Sequence, residues 1–325
     1  MSRLASSVIT FFWLLGCSTK AVELDQAPPF ASVPTTGDDP ALVLSEEPTS
    51  VWVDERRLYW VAGGKLQSCR TTDCARSLLD YPSSVRGEDN VVTAVVAGGH
   101  VYWTSRNTIY SCPTEGCDPK PLTVTQDPAL QPPPFAHGEY VYWSSDFDIY
   151  RCRAVGCSGA PDVVASNSLA QALAFDEARA YWSDGVRVMS APVDGSAPPE
   201  IAGFDQLGAF TGDLAVGGGY LYVSDNLHIF RCPLANCDAS PPTLLVTASG
   251  SGPLTQITLD GSTLYWDDAD TLRSCRLPAC TDPRAIATLR QGTSVGDKLF
   301  AIDTNDIYWL EPPGVGSPTI RRMAK

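Results

Sequence analysis

The sequence has few histidines and few basic residues. Its 325 residues include 3 His and 23 Lys or Arg, against 37 Asp or Glu, so the formal net charge is −14. Because phosphate binding needs clustered Lys and Arg, this balance argues against nucleic acid as a partner. The histidines, His100, His137 and His228, lie far apart, and none has the spacing of a pair of metal ligands.

Enzyme motifs are missing as well. The sequence contains neither the G-x-S-x-G motif of serine hydrolases nor the H-E-x-x-H motif of zinc proteases. The glycine run Gly217–Gly219 lies between two predicted strands and precedes no helix, so we interpret it as a turn and not as a phosphate-binding loop. The sequence names no reaction, and it favours a protein that is not an enzyme.

The apolar run Val8–Leu15 is too short to span a bilayer, which takes about 20 residues. It follows Arg3 and has the length of a signal-peptide core. It ends in Leu14-Leu15-Gly16-Cys17, which resembles the lipobox of bacterial lipoproteins. The resemblance implies that residues 1–16 are a signal peptide and that Cys17 is lipidated. The alternative is an ordinary cleaved signal with an incidental cysteine.

The same resemblance implies a location. A lipoprotein is exported and anchored to the bacterial cell envelope, and Ser18, where Asp is absent, is compatible with the outer membrane. The segment after Cys17 is rich in Pro, Thr, Ser and Asp and cannot bury enough apolar surface to fold. We therefore expect a lipidated cysteine and disordered tether over residues 17–40, and one domain over residues 41–325.

An aromatic anchor recurs seven times, 39 to 43 residues apart. The anchors are Tyr59-Trp60, Tyr102-Trp103, Tyr142-Trp143, Tyr181-Trp182, Tyr222-Val223, Tyr265-Trp266 and Tyr308-Trp309. A period near 40 with aromatic anchors is typical of propeller blades, each a four-stranded sheet. The second repeat shows the unit as short β-rich runs bounded by turn residues, with Val92–Val96 first and Pro121–Thr125 last.

The last repeat lacks a fourth strand, because the chain stops after Thr319–Met323. The segment Ala41–Ser45, before the first repeat, matches the outer-strand type of Pro121–Thr125. It would complete the last blade and remove an exposed gap in the ring. The sequence therefore predicts an all-β fold, a seven-bladed β-propeller of four-stranded antiparallel blades whose last blade is closed by the N-terminal strand.

The anchors carry a family resemblance. Tyr102-Trp103-Thr104-Ser105 and Tyr181-Trp182-Ser183-Asp184 resemble the YWTD repeats of LDL-receptor-type propellers, and Val193-Asp194-Gly195-Ser196 is similar to that family's Leu-Asp-Gly-Ser ending. That family has six blades, whereas seven anchors occur here. The cysteine insertions look more like bacterial lipoproteins that carry such repeats. The resemblance implies a propeller with a binding role, and it implies no catalytic residue.

Ten of the 11 cysteines form C-x4-C pairs after the third strand of a repeat. The pairs are Cys69-Cys74, Cys112-Cys117, Cys152-Cys157, Cys232-Cys237 and Cys275-Cys280. Flanking a hairpin loop, the two sulfurs would face each other across antiparallel strands, within disulfide range. Repeat four has Ser190 and Gly195 at the two positions, so both cysteines are missing together, and repeat seven has Met323 at the first. We expect five disulfides; zinc is the alternative, but each loop offers only two ligands.

Acidic residues follow several anchors. They are Asp146, Asp148, Asp184, Asp225, Asp267, Asp268 and Asp270. The loops between second and third strands share one face of a propeller with the blade-connecting loops, so this face is the predicted binding face. The carboxylates either make Asx-type turn contacts or converge on Ca²⁺ or a cationic ligand. Asp267, Asp268 and Asp270 are the best calcium candidate, although they lack EF-hand spacing; no other cofactor is expected.

These observations predict a monomeric binding or scaffold module, held at the membrane by its lipid. The expected partner is an envelope or extracellular protein or a glycan. Two alternatives stay open. One is a propeller-fold hydrolase or lyase with its site at the channel mouth, since fold does not decide function. The other is a purely structural surface lipoprotein.

Overall fold

The computed structural model of the chain describes most of the predicted domain. The described residues are 42–82, 91, 93–105, 108–116, 120–124, 131–145, 147–154, 156–157, 159–168, 170, 172–204, 212–237, 239, 241–249, 254–290, 298–312 and 317–325. The predicted signal peptide, the lipidation site Cys17 and the tether therefore lie outside the described residues. Within them, no helix has the length and apolar character needed to cross a membrane.

Twenty-eight strands form seven four-stranded antiparallel sheets, and the fold prediction is confirmed. Blades 1 to 3 are β2–β5 (Pro48–Val53, Arg57–Ala62, Lys65–Arg70, Leu79–Tyr81), β6–β9 (Thr93–Ala97, His100–Ser105, Thr108–Pro113, Lys120–Val124) and β10–β13 (Gln131–His137, Tyr140–Ser145, Asp148–Arg153, Asp162–Ala165). Blades 4 to 6 are β14–β17 (Ala172–Phe175, Arg179–Ser183, Val188–Pro192, Glu200–Gly203), β18–β21 (Leu214–Gly217, Tyr220–Ser224, His228–Pro233, Thr243–Thr247) and β22–β25 (Ile257–Asp260, Thr263–Asp268, Thr271–Arg276, Arg284–Thr288).

Blade 7 is built from both ends of the domain. It contains β26–β28 (Phe300–Ile302, Asp306–Leu310, Thr319–Ala324), and β1 (Leu42–Val43) is its outer strand. β1 runs antiparallel to β28, with Leu42 opposite Ile320 and Val43 opposite Thr319. The ring is closed in the predicted way, although the closing strand is only two residues long.

The Tyr-Trp anchors recur because each blade is packed between two others. Side chains of successive strand residues point to opposite faces of a sheet. Tyr59 therefore packs with Trp103 of blade 2, while Trp60 packs with Tyr308 of blade 7. All four side chains are buried. One anchor pair per second strand, aromatic in six blades and Tyr222-Val223 in blade 5, thus fills the interfaces on both sides of its blade, and this explains the repeat.

The loops divide between two faces. We call the side with the first-to-second and third-to-fourth strand connections the hairpin face. The side with the second-to-third strand turns and the blade connections is the loop face. As predicted, the cysteines and the acidic turns lie on opposite faces, because alternate connections of an antiparallel sheet leave opposite edges.

Four of the predicted disulfides are present. They are Cys69–Cys74, Cys152–Cys157, Cys232–Cys237 and Cys275–Cys280, with Cα atoms 4.7 to 5.3 Å apart. Cys117 lies outside the described residues. The predicted placement across two strands is wrong in one respect, because the second cysteine lies in the connection and precedes the outer strand. Each disulfide therefore closes a turn at the end of the third strand; we call this turn the staple.

The expected match of Ser190 and Gly195 to the staple positions is wrong by one residue. The first staple cysteine pairs with the residue before the anchor tyrosine, as Leu58 pairs with Cys69. In blade 4 that partner is Ala191, opposite Ala180. In blade 7 it is Met323, opposite Ile307, as predicted. Which residues of blade 4 match the cysteine positions depends on strand register, and the sequence does not show strand register directly.

Candidate functional site

The structure places most of the acidic candidates in turns of the loop face. Asp184 and Asp225 each follow a second strand, and Asp148 and Asp270 flank shorter turns. Asp146 lies outside the described residues. Asp267 and Asp268 differ from the rest, because they belong to β23 and are buried.

Asp184 and Asp225 make the Asx-type contact. Oδ1 of Asp184 accepts hydrogen bonds from the backbone N–H groups of Val186 and Arg187, both at 3.0 Å. Oδ1 of Asp225 accepts from the N–H groups of Leu227 and His228 at 2.7 and 2.6 Å. Partial burial raises the pKa of Asp184, but these N–H donors and the Arg187 guanidinium lower it more, so the net pKa is below its ordinary value. Both carboxylates hold the shape of their turns.

The Asp267 carboxylate anchors the strand that begins blade 6. Its oxygens accept hydrogen bonds from the backbone N–H groups of Thr255 (2.9 Å) and Gln256 (2.8 Å), and from the Thr255 hydroxyl. Burial raises the pKa of Asp267 above its ordinary value, against the lowering effect of these donors. The calcium candidate thus contains a carboxylate whose two oxygens are already used within the protein.

Asp268 is bonded in a similar way. It accepts hydrogen bonds from the backbone and hydroxyl of Ser249 at 3.0 and 2.6 Å and pairs with Arg273 at 2.8 Å. Asp270 accepts from the Thr271 hydroxyl at 3.1 Å. Within the described ranges, no group of three or more His, Cys, Asp or Glu is placed to hold a metal ion.

A polar network links the starts of blades 5, 6 and 7 on the loop face. Lys298, before blade 7, donates from Nζ to Oδ2 of Asp213, before blade 5, at 3.2 Å. Gln256, before blade 6, donates to the Phe300 carbonyl at 2.9 Å and accepts from the Leu299 N–H at 3.0 Å. Hydrogen bonds therefore connect three successive blades at this mouth of the channel.

The opposite mouth, on the hairpin face, contains a cavity of about 350 Å³. It is lined by the first turns of three adjacent blades, namely Val53, Asp54 and Glu55 of blade 1, Thr258, Leu259 and Asp260 of blade 6, and Ile302, Asp303 and Thr304 of blade 7. We call it the axial cavity. Its lining combines apolar side chains with four carboxylates, and a pocket of this kind suits an aliphatic stem with a positive head.

The turns that frame the axial cavity are rigid. Oδ1 of Asp54 accepts hydrogen bonds from the N–H groups of Arg56 and Arg57, and Oδ2 accepts from the Tyr59 hydroxyl at 3.0 Å. Burial and the nearby Asp54 carboxylate raise the pKa of Tyr59, so its hydroxyl remains a donor. Asp303 makes the same contacts, with Tyr308 at 3.2 Å. Both oxygens of each carboxylate are thus used to hold the turns that form the wall of the cavity.

One ammonium group is already bound at the rim of the axial cavity. Lys325 donates from Nζ to Oδ2 of Asp260. Glu55, on the other side of the mouth, is exposed. The rim thus has the chemistry of a receptor for a basic group.

Sequence reasoning missed the axial cavity, although a signal for two of its turns was present. The pattern Asp-x4-Tyr occurs at Asp54/Tyr59, Asp176/Tyr181, Asp260/Tyr265 and Asp303/Tyr308. In blade 6, however, Gly261 follows Asp260 at a φ of 55° and makes the turn, as glycines at positive φ do in three other first turns. An alignment of the seven repeats would therefore have separated the carboxylate turns from the glycine turns only by asking in addition whether a glycine follows the aspartate.

The histidines lie away from both mouths. His100 contacts the Gly98 carbonyl at 3.2 Å, His137 stacks on Phe175 at 4.9 Å, and His228 pairs with Asp225 at 3.1 Å. None of them is among the described residues that line the axial cavity.

No family model and no curated protein sequence matches the chain. Solved structures do match. A chain of the mitotic checkpoint complex superposes with a TM-score of 0.61 at 10% identity, over 92% of this chain and 97% of that chain. YCF48 bound to D1 peptide gives 0.58 at 10% identity, over 93% and 100%. A chain of a nidogen/laminin complex gives 0.49 at 15% identity, over 70% and 92%.

At such low identity these similarities concern the fold alone. The first two cover nearly the whole of both chains, so the similarity in fold extends over the entire ring. The chain is therefore a β-propeller in which one mouth of the channel is cross-linked and the other holds an acidic cavity.

Proposed function

We propose that the protein is an exported, lipid-anchored β-propeller that binds a partner protein through the axial cavity. The observation that carries this proposal is the cavity of about 350 Å³, with carboxylates on three blades and an ammonium group already bound at its rim. Its ligand is a Lys or Arg side chain presented by the partner. Binding also fits two fold neighbours, one from the mitotic checkpoint complex and one bound to the D1 peptide.

Export and anchoring rest on the chain's own residues. Disulfides persist in oxidising compartments such as the bacterial periplasm, so four staples support export. The lipobox-like end at Cys17 and the YWTD-like anchors support a bacterial lipoprotein that carries such repeats. The segment between Cys17 and β1 serves as the tether that lets the ring stand off the membrane.

A displayed library of random heptapeptides tests the binding function. We expect residues 41–325 to enrich peptides that contain Lys or Arg. The variant Glu55→Gln/Asp260→Asn removes two rim charges but keeps the Asp54 and Asp303 carboxylates that hold their turns, and it should weaken the selected peptides at least tenfold. The matched control Glu139→Gln/Asp282→Asn removes two exposed charges elsewhere and should bind like the parent. Equal binding by the rim variant, or selected peptides without a basic residue, would overturn the proposal.

Metabolic labelling with an alkyne analogue of palmitate tests the anchor. The full chain expressed in a bacterium should be labelled and recovered with membranes, whereas Cys17→Ser should be unlabelled and released. An unlabelled parent chain would contradict the lipoprotein assignment and leave the cavity hypothesis standing.

A further inference from the structure

Large exposed hydrophobic side chains cluster on neighbouring blades. In the part of the chain that the structure describes, every one of them lies on blade 3, 4 or 5. These residues are Phe147, Val163, Val186, Ile201, Leu227 and Leu244. We call them the apolar flank. Single exposed apolar residues are ordinary, but a set confined to three consecutive blades marks an interaction surface.

The apolar flank repeats with the blades. Phe147, Val186 and Leu227 occupy the turn between the second and third strands, on the loop face. Val163, Ile201 and Leu244 occupy equivalent outer-strand positions, opposite Tyr150, Met189 and Phe230. Each of the three blades therefore presents one apolar residue at its turn and one on its outer strand.

Other blades carry different residues at these positions. In blade 1 the turn is Gly63-Gly64, and the outer-strand position is Asp80, which bonds Gln67 at 2.7 Å. In blade 6 the turn is Ala269-Asp270, and the outer-strand residue is Ala285, opposite Arg273. The fold therefore does not require a large apolar residue at either place.

Phe147 has a backbone conformation that bulky residues rarely adopt. Its φ is 68°, in the left-handed region that favours glycine, and its side chain is 63% exposed. A bulky residue in this conformation is a genuine outlier, and burial gives nothing back at this site. The Phe147 carbonyl also accepts a hydrogen bond from the Ser168 N–H, which ties the turn to the segment after the outer strand. An exposed aromatic side chain on a strained, hydrogen-bonded turn suits a binding contact.

The outer strands of the apolar flank present carboxylates outward. Two ion pairs border these strands, Arg151 with Asp162 and Arg179 with Glu200. The acidic side chains are 62% and 66% exposed, whereas the arginine side chains are 12% and 30% exposed. The turns do not add to this charge, because Asp184 and Asp225 are less exposed than Arg187 and His228, with which they pair. A partner that lies on the outer strands thus meets apolar side chains bordered by carboxylates.

We propose that the apolar flank binds a partner segment that is both apolar and basic, such as an amphipathic helix or strand with Leu-like and Lys or Arg side chains. Charge complementarity selects this occupant, because exposed carboxylates repel an anionic lipid surface and a second copy of the same acidic flank. This site is separate from the axial cavity, which lies on the hairpin face between blades 1, 6 and 7.

Fluorescence anisotropy with two synthetic 14-residue amphipathic peptides tests the proposal, one made of Leu and Lys and one of Leu and Glu. We expect residues 41–325 to bind the Leu/Lys peptide in the micromolar range and the Leu/Glu peptide at least tenfold more weakly. The variant Phe147→Ser/Val186→Ser/Leu227→Ser should lose at least tenfold in affinity for the Leu/Lys peptide. The blade 6 control Ala269→Ser/Ala285→Ser should bind like the parent.

A second variant guards against misfolding. Val163→Thr/Ile201→Thr/Leu244→Thr keeps β-branched or strand-compatible side chains and should also weaken binding, with an unchanged circular dichroism spectrum. Because the axial cavity is itself proposed to take a Lys side chain, both flank variants are also measured in the Glu55→Gln/Asp260→Asn background, where they should still lower the affinity at least tenfold. Binding of the Leu/Lys peptide that the axial substitutions abolish and that both flank variants leave intact would overturn the flank proposal and support the cavity.

Two further results would overturn the flank proposal. One is self-association of the parent in sedimentation velocity that both flank variants abolish, since the occupant would then be a second copy. The other is flank-dependent binding to vesicles of phosphatidylcholine and phosphatidylglycerol, since the occupant would then be a lipid surface. Failure of the parent to bind the Leu/Lys peptide also refutes it.

Discussion

Arg322, in the last strand, donates a hydrogen bond from Nη1 to the carbonyl oxygen of Thr71, in the staple region of blade 1, at 3.1 Å. Its Nη2 pairs with Asp306 at 2.6 Å. The same link occurs within the ring, where Arg151 donates to the Val193 carbonyl of the next blade at 2.8 Å. Blades 7 and 1 are therefore joined by the same kind of arginine-to-carbonyl hydrogen bond that joins blades 3 and 4. This contact closes the ring in addition to the pairing of β1 with β28.

Replacing Arg322 with Met should lower the free energy of unfolding by about 1–3 kcal/mol, because a charge-assisted hydrogen bond is lost and Asp306 is left without its cation. Urea denaturation measures the change. Arg322→Lys should recover only part of it, since the ammonium cannot hold both partners in the fork of a guanidinium. An unchanged midpoint for Arg322→Met would show that the closing contact contributes nothing.

Blade 4 should accept a new staple at the positions that strand register assigns. In blades 2 and 4 the turn is alike, with Gly116 N–H bonded to Pro113 and Gly195 N–H bonded to Pro192, both at 3.0 Å. Ala191→Cys/Ser196→Cys should therefore oxidise and stabilise the fold by about 2 kcal/mol on the loop-entropy model. Thiol titration and thermal unfolding with and without reductant measure this.

The shifted pair Ser190→Cys/Gly195→Cys is the matched control and should stay reduced. A Cβ at Gly195 would lie 2.6 Å from the Val163 carbonyl oxygen, and its φ is 70°. Oxidation of the shifted pair in preference to the first would contradict the register assignment.

All five C-x4-C pairs, including Cys112 with Cys117, should be oxidised in the exported protein. Mass spectrometry after alkylation of the native domain 41–325 should find no modified cysteine, and ten after reduction. Ten alkylated thiols without reductant would refute the staples.

Asp267→Asn should make stability less dependent on pH. The pKa of Asp267 is raised by burial, so the native state binds its proton more tightly than the unfolded state does. This contribution is present below the ordinary pKa and is lost as pH rises through the folded value. The asparagine can keep the contacts to Thr255 and Gln256. The free energy of unfolding of the variant should therefore increase relative to that of the parent as pH rises from 4 to 8. A difference in unfolding free energy that stays constant over this range would contradict the shift.

The carboxylate turn of blade 4 should have the opposite pH dependence. The pKa of Asp176 is lowered on balance, because hydrogen bonds from Ala178, Arg179 and Tyr181 outweigh the raising effect of burial. Its stabilisation is therefore present above the ordinary pKa and lost as pH falls through the folded value. Asp176→Asn should be less stable than the parent at pH 7, and the gap should close in acid.

Tyr181→Phe tests the same turn through its hydroxyl, which donates to Asp176 at 2.8 Å, and should cost about 1 kcal/mol. Tyr102→Phe is the matched control, because among the described residues the buried Tyr102 hydroxyl has no hydrogen-bond partner. That variant should be neutral or stabilising. Equal losses of unfolding free energy in the two variants would argue against a stabilising hydrogen bond between Tyr181 and Asp176.

The repeat was readable from the sequence for a local reason. Adjacent Tyr and Trp residues on one strand face two different blades. Each anchor therefore indicates a blade with a neighbour on either side, as in a ring. Val43 was predictable as part of the closing strand because blade 7 lacked an outer one. Asp267 was misread as a turn residue because β23 extends to Asp268, and only the distant Thr255 and Gln256 explain its burial. The axial cavity was hidden because its walls come from turns far apart in the chain.

The two-residue strand β1 makes ring closure depend on a contact between distant parts of the chain. β1 precedes every other strand of the ring, whereas its partner residues Thr319 and Ile320 lie in β28, which follows all the others. Contacts between distant parts of a chain form slowly, and an unpaired strand edge invites aggregation. A cut before β28 would therefore leave an open ring with β1 unpaired, so the blade that closes the ring is also the one that exposes an edge for longest during folding.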